Sequence, residues 1–152
     1  MNVSRNRKLS LVAVALALLT GCGVVSRDEV ARVPSPDGRV EAILMETNGG
    51  ATTSFGYEVH VVEKGRPASD QVARLYGAGR NENAYGANLK WISDNELVVE
   101  YLEARDQTLG RASVIVAGRA IKVSLRSGVS DPTAPAGGML DNLERTRGGG
   151  SK

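Results

Sequence analysis

Two residues in this chain of 152 are the only ones of their kind and can each carry covalent or acid–base chemistry: Cys22 and His60. The thiolate is the reactive form of cysteine, so Cys22 can take a covalent group on sulfur. It closes an apolar run that reads Leu19-Thr20-Gly21-Cys22 near the N-terminus. His60 needs a nucleophile or an acid partner for catalysis, and further ligands to hold a metal. It falls mid-strand, opposite Tyr57, Val59 and Val61, where surface or cross-strand packing is the expected role.

Other polar groups carry weaker signals for chemistry. Thr52, Thr53 and Ser54 offer hydroxyls, but no base adjoins them. Glu96, Glu100, Glu103 and Asp106 are carboxylates suited to acid–base work. Glu96 and Glu100 alternate with apolar residues, so solvation on an exposed face is expected instead. No Ca²⁺-loop spacing of acids occurs. The segment Gly77 to Gly86 holds glycines that can bring backbone N–H groups to an anion, with Arg80 assisting. It lacks the Gly-Lys-Ser/Thr ending of a phosphate loop, and no helical pattern follows it. Tyr76, Arg80, Asn81, Asn83 and Tyr85 can instead form a partner-binding surface, or the loop can be ordered by its own turns. No catalytic residue, metal ligand or bound cofactor is expected.

The elements that must position these residues begin with a leader. Arg5, Arg7 and Lys8 precede an almost purely Leu/Val/Ala run from Leu9 to Leu19. A basic start, an apolar core and small residues make a secretory signal. Eleven helical residues span roughly 16 Å, short of the ~30 Å hydrocarbon core. Charge changes with its removal. The whole chain is +2, with 19 Lys and Arg against 17 Asp and Glu; without the three leader bases it is −1. That balance gives no basis for nucleic-acid binding.

Beyond the leader, residues 22–32 read as a tether, 33–126 as a β domain and 127–152 as a flexible tail rich in Gly and Pro. Ser35-Pro36-Asp37-Gly38 has turn chemistry at each position. Alternating segments at Arg39 to Glu46, Tyr57 to Glu63, Asn88 to Ile92 and Glu96 to Glu103 read as strands. Arg111 to Ala117 and Ala120 to Leu125 read as a hairpin about Gly118-Arg119. The expected fold is all-β: a small antiparallel curled sheet or a two-layer sandwich of six or seven strands, with an N-terminal signal helix and a disordered C-terminal tail.

Leu19-Thr20-Gly21-Cys22 resembles the lipobox of bacterial prolipoproteins. The resemblance implies cleavage before Cys22, a diacylglycerol on its sulfur and an N-acyl lipid on its new amine. Gly23 stands where an Asp would favour inner-membrane retention, which implies outer-membrane sorting. Two or more chains give stable anchoring where one does not. The Ser35-Pro36-Asp37-Gly38-Arg39 turn resembles the repeated turn of TolB-like β-propellers, and Trp91-Ile92-Ser93-Asp94-Asn95-Glu96-Leu97 resembles a variant of it. The chain from Cys22 onward, 131 residues, is too short for four blades of four strands. The order of these motifs is also similar to that of small bacterial lipoproteins without a known activity. The expectation is a non-enzymatic protein held to the membrane of the cell envelope by its lipid. Its β domain would bind an envelope protein or component through its loops. A small-molecule-binding protein or hydrolase using Gly77 to Gly86 is the alternative.

Overall fold

The computed structural model describes residues 26–148. The expected signal segment 1–21 with its helix, Cys22, and the last residues of the Gly-rich tail lie outside the described residues. In chain order the elements are β1 (Ser26–Pro34), β2 (Val40–Asn48), β3 (Gly56–Glu63), β4 (Gln71–Tyr76), β5 (Gly79–Asn81), β6 (Ala84–Tyr85), β7 (Asn88–Ser93), β8 (Glu96–Glu100), β9 (Asp106–Leu109), β10 (Ser113–Val116), β11 (Arg119–Arg126) and the helix α1 (Met139–Gly148).

The fold is all-β. The first sheet has the order β1-β2-β3-β4-β9 and is antiparallel throughout. The second has the order β10-β11-β8-β7, and β5-β6 is a separate ribbon. Period-two alternation explains how the two large sheets share one core. Val40, Ala42 and Leu44 of β2 and Tyr57, Val59 and Val61 of β3 point inward. They meet Leu97 and Val99 of β8 and Ile121 and Val123 of β11. Trp91 of β7 ties the layers, donating its indole N–H to the Val33 carbonyl at 3.0 Å.

The second sheet contains one parallel pair, β8 with β11, in the register Lys122 to Glu96 through Arg126 to Glu100. The chain leaves β8, adds β9 to the other sheet, and returns through β10 before β11 can pair.

Among the described residues the strand count is eleven, above the expected six or seven, because short strands and one charged strand read as loops and tether. Residues 26–32 of the expected tether are part of β1, which pairs with β2 from Ser26–Asn48 to Pro34–Glu41. Its charges explain the difference. Arg27 and Arg32 lie over the outer face of the sheet, where Arg27 pairs with Glu58 at 2.8 Å and Arg32 with Glu41 at 2.6 Å. An edge strand carries charge without exposing its core side. The expected flexible tail is also ordered from Ser127 to Gly148. Gly128 and Val129 donate to Leu102 and Tyr101, Asp131 to Arg80 and Gly137 to Asn83, all at 2.8–3.0 Å, before α1 begins. Its Gly and Pro residues shape a strap across the body.

Two side chains sit deeper than expected. His60 is 1% exposed, with Nδ1 2.9 Å from the Ser69 carbonyl and Nε2 3.2 Å from Arg27. Glu100 is buried, flanked by Arg126 at 3.1 Å and Lys90 at 3.8 Å.

The sandwich has two unlike poles. At one, four turns gather: Ser35–Arg39, Lys64–Asp70, Asp94–Asn95 and Ala117–Gly118. There Asp37 accepts two bonds from Arg119, at 2.7 and 3.2 Å, while its N–H donates to Asp94 at 2.9 Å. The two propeller-like turns are thus joined to each other. Arg119 and the Ser35 hydroxyl hold the Asp37 carboxyl well below the usual carboxylate range. At the other pole lie the first residue of β1, the β2–β3 loop, the β5–β6 ribbon and the start of α1.

Candidate functional site

The candidate site is this second, loop-rich pole. Gly77 and Gly86, with φ of 60° and 124°, frame the β5–β6 ribbon. A Cβ on Gly86 would lie 2.6 Å from the Met139 sulfur, so α1 packs directly on glycine backbone. The ribbon's N–H groups are used internally. Gly77 donates to Phe55, Gly79 to Glu103, Tyr85 to Gly137 and Gly86 to Ala78, at 2.8–2.9 Å. Asn83 N–H donates to the Asn81 side chain at 2.8 Å. The glycines therefore present no open cradle of donors to an anion.

The five candidate binding residues divide. Tyr76 accepts the Ser54 N–H on its hydroxyl at 3.0 Å. Arg80 donates to the Tyr85 carbonyl at 3.4 Å and lies 3.8 Å from Asp131. Asn81 donates to the Asp131 and Ala134 carbonyls at 2.9 and 3.0 Å. Arg80 and Asn81 serve the strap, and Tyr76 holds the β2–β3 loop. Asn83 and Tyr85 face solvent. The Tyr85 ring is 43% exposed and meets Phe55 edge-on, with centroids 5.4 Å apart. Thr53 binds the Gly50 carbonyl through its hydroxyl at 3.0 Å, within its own turn. Of Arg80, Asn81, Tyr85 and Thr53, Asn81 borders one of two open hollows and the other three border neither. Asn81, Glu82 and Asn83 border an open groove of about 530 Å³ with Leu102, Pro132 and Ala136. A second shallow hollow of about 550 Å³ lies by Glu103, Arg105 and Gly128. Beside it the Tyr101 hydroxyl donates to Gln107.

Sequence reasoning missed the organiser of this pole, Glu46. Its carboxylate is buried and accepts three bonds: from the Tyr57 hydroxyl at 2.7 Å, Met139 N–H at 3.0 Å and Leu140 N–H at 3.3 Å. The first N–H groups of a helix have no intrahelical partner, and its N-terminus favours negative charge. Glu46 supplies both needs to α1 from a distant strand. Burial and the adjacent Glu46 carboxylate push the Tyr57 hydroxyl far above its ordinary value. Tyr57 therefore remains a neutral donor. A signal was present in the sequence: Glu46 continues the inward series Val40, Ala42, Leu44, where an acid needs a partner.

No acid, base and nucleophile converge in the pairs described. His60 is engaged by Ser69 and Arg27, on the outer face of the first sheet. Among the described residues, no three His, Cys, Asp or Glu side chains are grouped to hold a metal ion. No described helix is long and apolar enough to cross a membrane. The site and fold define a two-layer β sandwich with a strapped loop pole. Comparison with protein-family models, curated proteins and solved structures finds no match to this chain.

Proposed function

We propose that this chain is a lipid-anchored protein of the bacterial cell envelope whose β domain binds another protein or an envelope component through its loop pole. The observation that carries the reading is Leu19-Thr20-Gly21-Cys22 behind a basic start and a short apolar run. The lone cysteine would be the attachment point for a diacylglycerol and an N-acyl chain. Gly23 in place of Asp points the anchored protein to the outer membrane, facing the periplasm.

At the loop pole, Asn83 and Tyr85 offer an exposed amide and an exposed aromatic ring. A ring that packs on Phe55 while keeping nearly half its surface free suits a contact with a protein or with another envelope component. Arg80, Asn81 and Tyr76 hold that surface in place. The alternative, a small-molecule or hydrolytic loop at Gly77 to Gly86, loses support because the loop's donors are spent on neighbouring backbone and on Asn81, and Arg80 is engaged by the Tyr85 carbonyl and Asp131.

Mass spectrometry of the mature N-terminus is expected to show acylated Cys22, and Cys22→Ser is expected to leave an uncleaved precursor. A mature chain starting at any other residue sinks the anchor reading. A photo-crosslinking side chain at Asn83 in intact cells is expected to capture a discrete envelope partner. The same side chain at Asn95, on the opposite pole, should not.

A further inference from the structure

Three residues, Gly23, Val24 and Val25, separate Cys22 from Ser26. At most ~3.6 Å per residue, Ser26 lies within about 14 Å of Cys22 whatever path the chain takes. Ser26 is the first residue of β1 and pairs with Asn48, the last of β2. The β2–β3 loop therefore leaves the sheet in the same row at which the chain arrives from Cys22. The nine residues of β2, at ~3.3 Å each, put the Asp37 pole about 30 Å farther away.

The composition of the β2–β3 loop fits that position, while the ribbon and helix beside it expose Glu82 and Asp141. From Thr47 to Tyr57 eleven consecutive residues carry no charge, and Ala51, Thr52 and Thr53 at the tip are exposed. The far pole presents Asp37, Arg39, Lys64, Arg66, Asp70 and Arg119. Small hydroxyl residues can enter a headgroup layer without stripping water from a charge. Phe55 and the exposed Tyr85 beside this loop are an amphipathic aromatic pair of the kind that settles at membrane interfaces.

We infer that the uncharged loop between β2 and β3, residues 49–55, and the Phe55–Tyr85 pair form a bilayer-facing surface that seats in the phospholipid headgroups around the Cys22 anchor. This rests on the lipid-anchor reading and adds an orientation to it. The sandwich stands with its strand axes steep to the membrane, the charged turns outermost. Asn83 then lies close to the membrane plane, where it can meet a partner that is itself membrane-bound.

The test uses the full acylated chain, with acylation of Cys22 verified by mass. With that sulfur blocked, a cysteine introduced as Thr52→Cys or as Asn95→Cys is the single free thiol for an environment-sensitive fluorophore. Both sites are exposed, so neither change disturbs the core. The protein is placed in phosphatidylethanolamine–phosphatidylglycerol vesicles carrying a headgroup spin-label quencher. Quenching at position 52 is expected to exceed that at position 95 by about threefold or more, given the short reach of such quenchers against ~30 Å. The difference should persist in high salt, since the surface is neutral, and diminish in a Tyr85→Ser background. Equal quenching at both positions on acylated protein overturns the orientation and leaves the anchor standing. Absence of acylation overturns both.

Discussion

Replacing Glu46 with glutamine should loosen the whole strap. The carboxylate accepts three bonds, from Tyr57, Met139 and Leu140. In Glu46→Gln the carbonyl oxygen can keep Tyr57 and Met139, while the new NH₂ faces the Leu140 N–H, donor against donor. One part-buried donor loses its partner, at a cost of about 1–1.5 kcal/mol. The two retained bonds lose their charge assistance, and α1 loses the anion at its N-terminus, together about 1–1.5 kcal/mol. The expected loss is therefore about 2–3 kcal/mol. For a domain of this size that lowers the melting temperature by about 6–15 °C. Exchange of the Met139 and Leu140 amides should accelerate about 30- to 150-fold if the strap opens locally. Thermal unfolding followed by circular dichroism and amide exchange by mass spectrometry measure both quantities. Glu144→Gln, on the exposed side of α1, serves as the control and should change neither. If Glu46→Gln leaves stability within about 0.5 kcal/mol and exchange unaltered, the view of Glu46 as the clasp of the C-terminal segment is wrong.

Two further outcomes follow from the geometry. Ala117 adopts φ of 51° beside Gly118 at 74° in the β10–β11 turn, a conformation that costs an L-residue about 1–2 kcal/mol. Ala117→Gly, or Ala117→Asn to give the favoured Asn-Gly turn, should stabilise the domain by up to about 1 kcal/mol in urea titration, the glycine version offset partly by unfolded-chain entropy. Acid should act through Asp37, Glu41 and Asp131. Their carboxyls are held below the ordinary range: Asp37 first by Arg119, Glu41 first by the Gly65 N–H, Asp131 first by the Thr133 hydroxyl. A depressed folded value means these contributions are complete above about pH 4 and are lost as pH falls through the lowered values. Stability should accordingly be flat in these groups near neutrality and decline below about pH 4, with a shallower decline in Asp37→Asn; an unchanged acid limb in that variant would count against the Arg119 clamp.

The parts legible in the sequence were those in which one face is apolar and the other polar. Val40, Ala42 and Leu44, then Tyr57, Val59 and Val61, then Leu97 and Val99 alternate cleanly, and all lie in the shared core. Ser35-Pro36-Asp37-Gly38 makes the expected turn, with Gly38 at φ of 69°. Legibility failed where stability comes from partners remote in sequence. Arg27, Glu29 and Arg32 read as a solvated tether because the carboxylates and sheet face they cover lie on later strands. The strap read as flexible because Gly and Pro dominate it, and its backbone bonds to Leu102, Arg80 and Asn83 leave no trace in side-chain pattern. The same holds for the loop pole: the residue types at Gly77 to Gly86 suggested an open binding loop, and only the fold shows the strap taking up Arg80 and Asn81. Glu100 misled for a subtler reason. It sits on the outer face of the second sheet, yet Lys90 and Arg126 close over it.

The clasp between Glu46 and α1 also sets an order of events during biogenesis. The Glu46 and Met139 partners are 93 residues apart, and β8 must wait for β11 through the whole of β9 and β10. A chain emerging N-terminus first thus carries a carboxylate and a phenol at the heart of its first sheet with nothing to bind α1's place until almost all of it has emerged. Closing so long a loop is entropically slow, and pairings of this separation form late. A polypeptide built this way completes its second sheet and its clasp only when its last strand and helix are available.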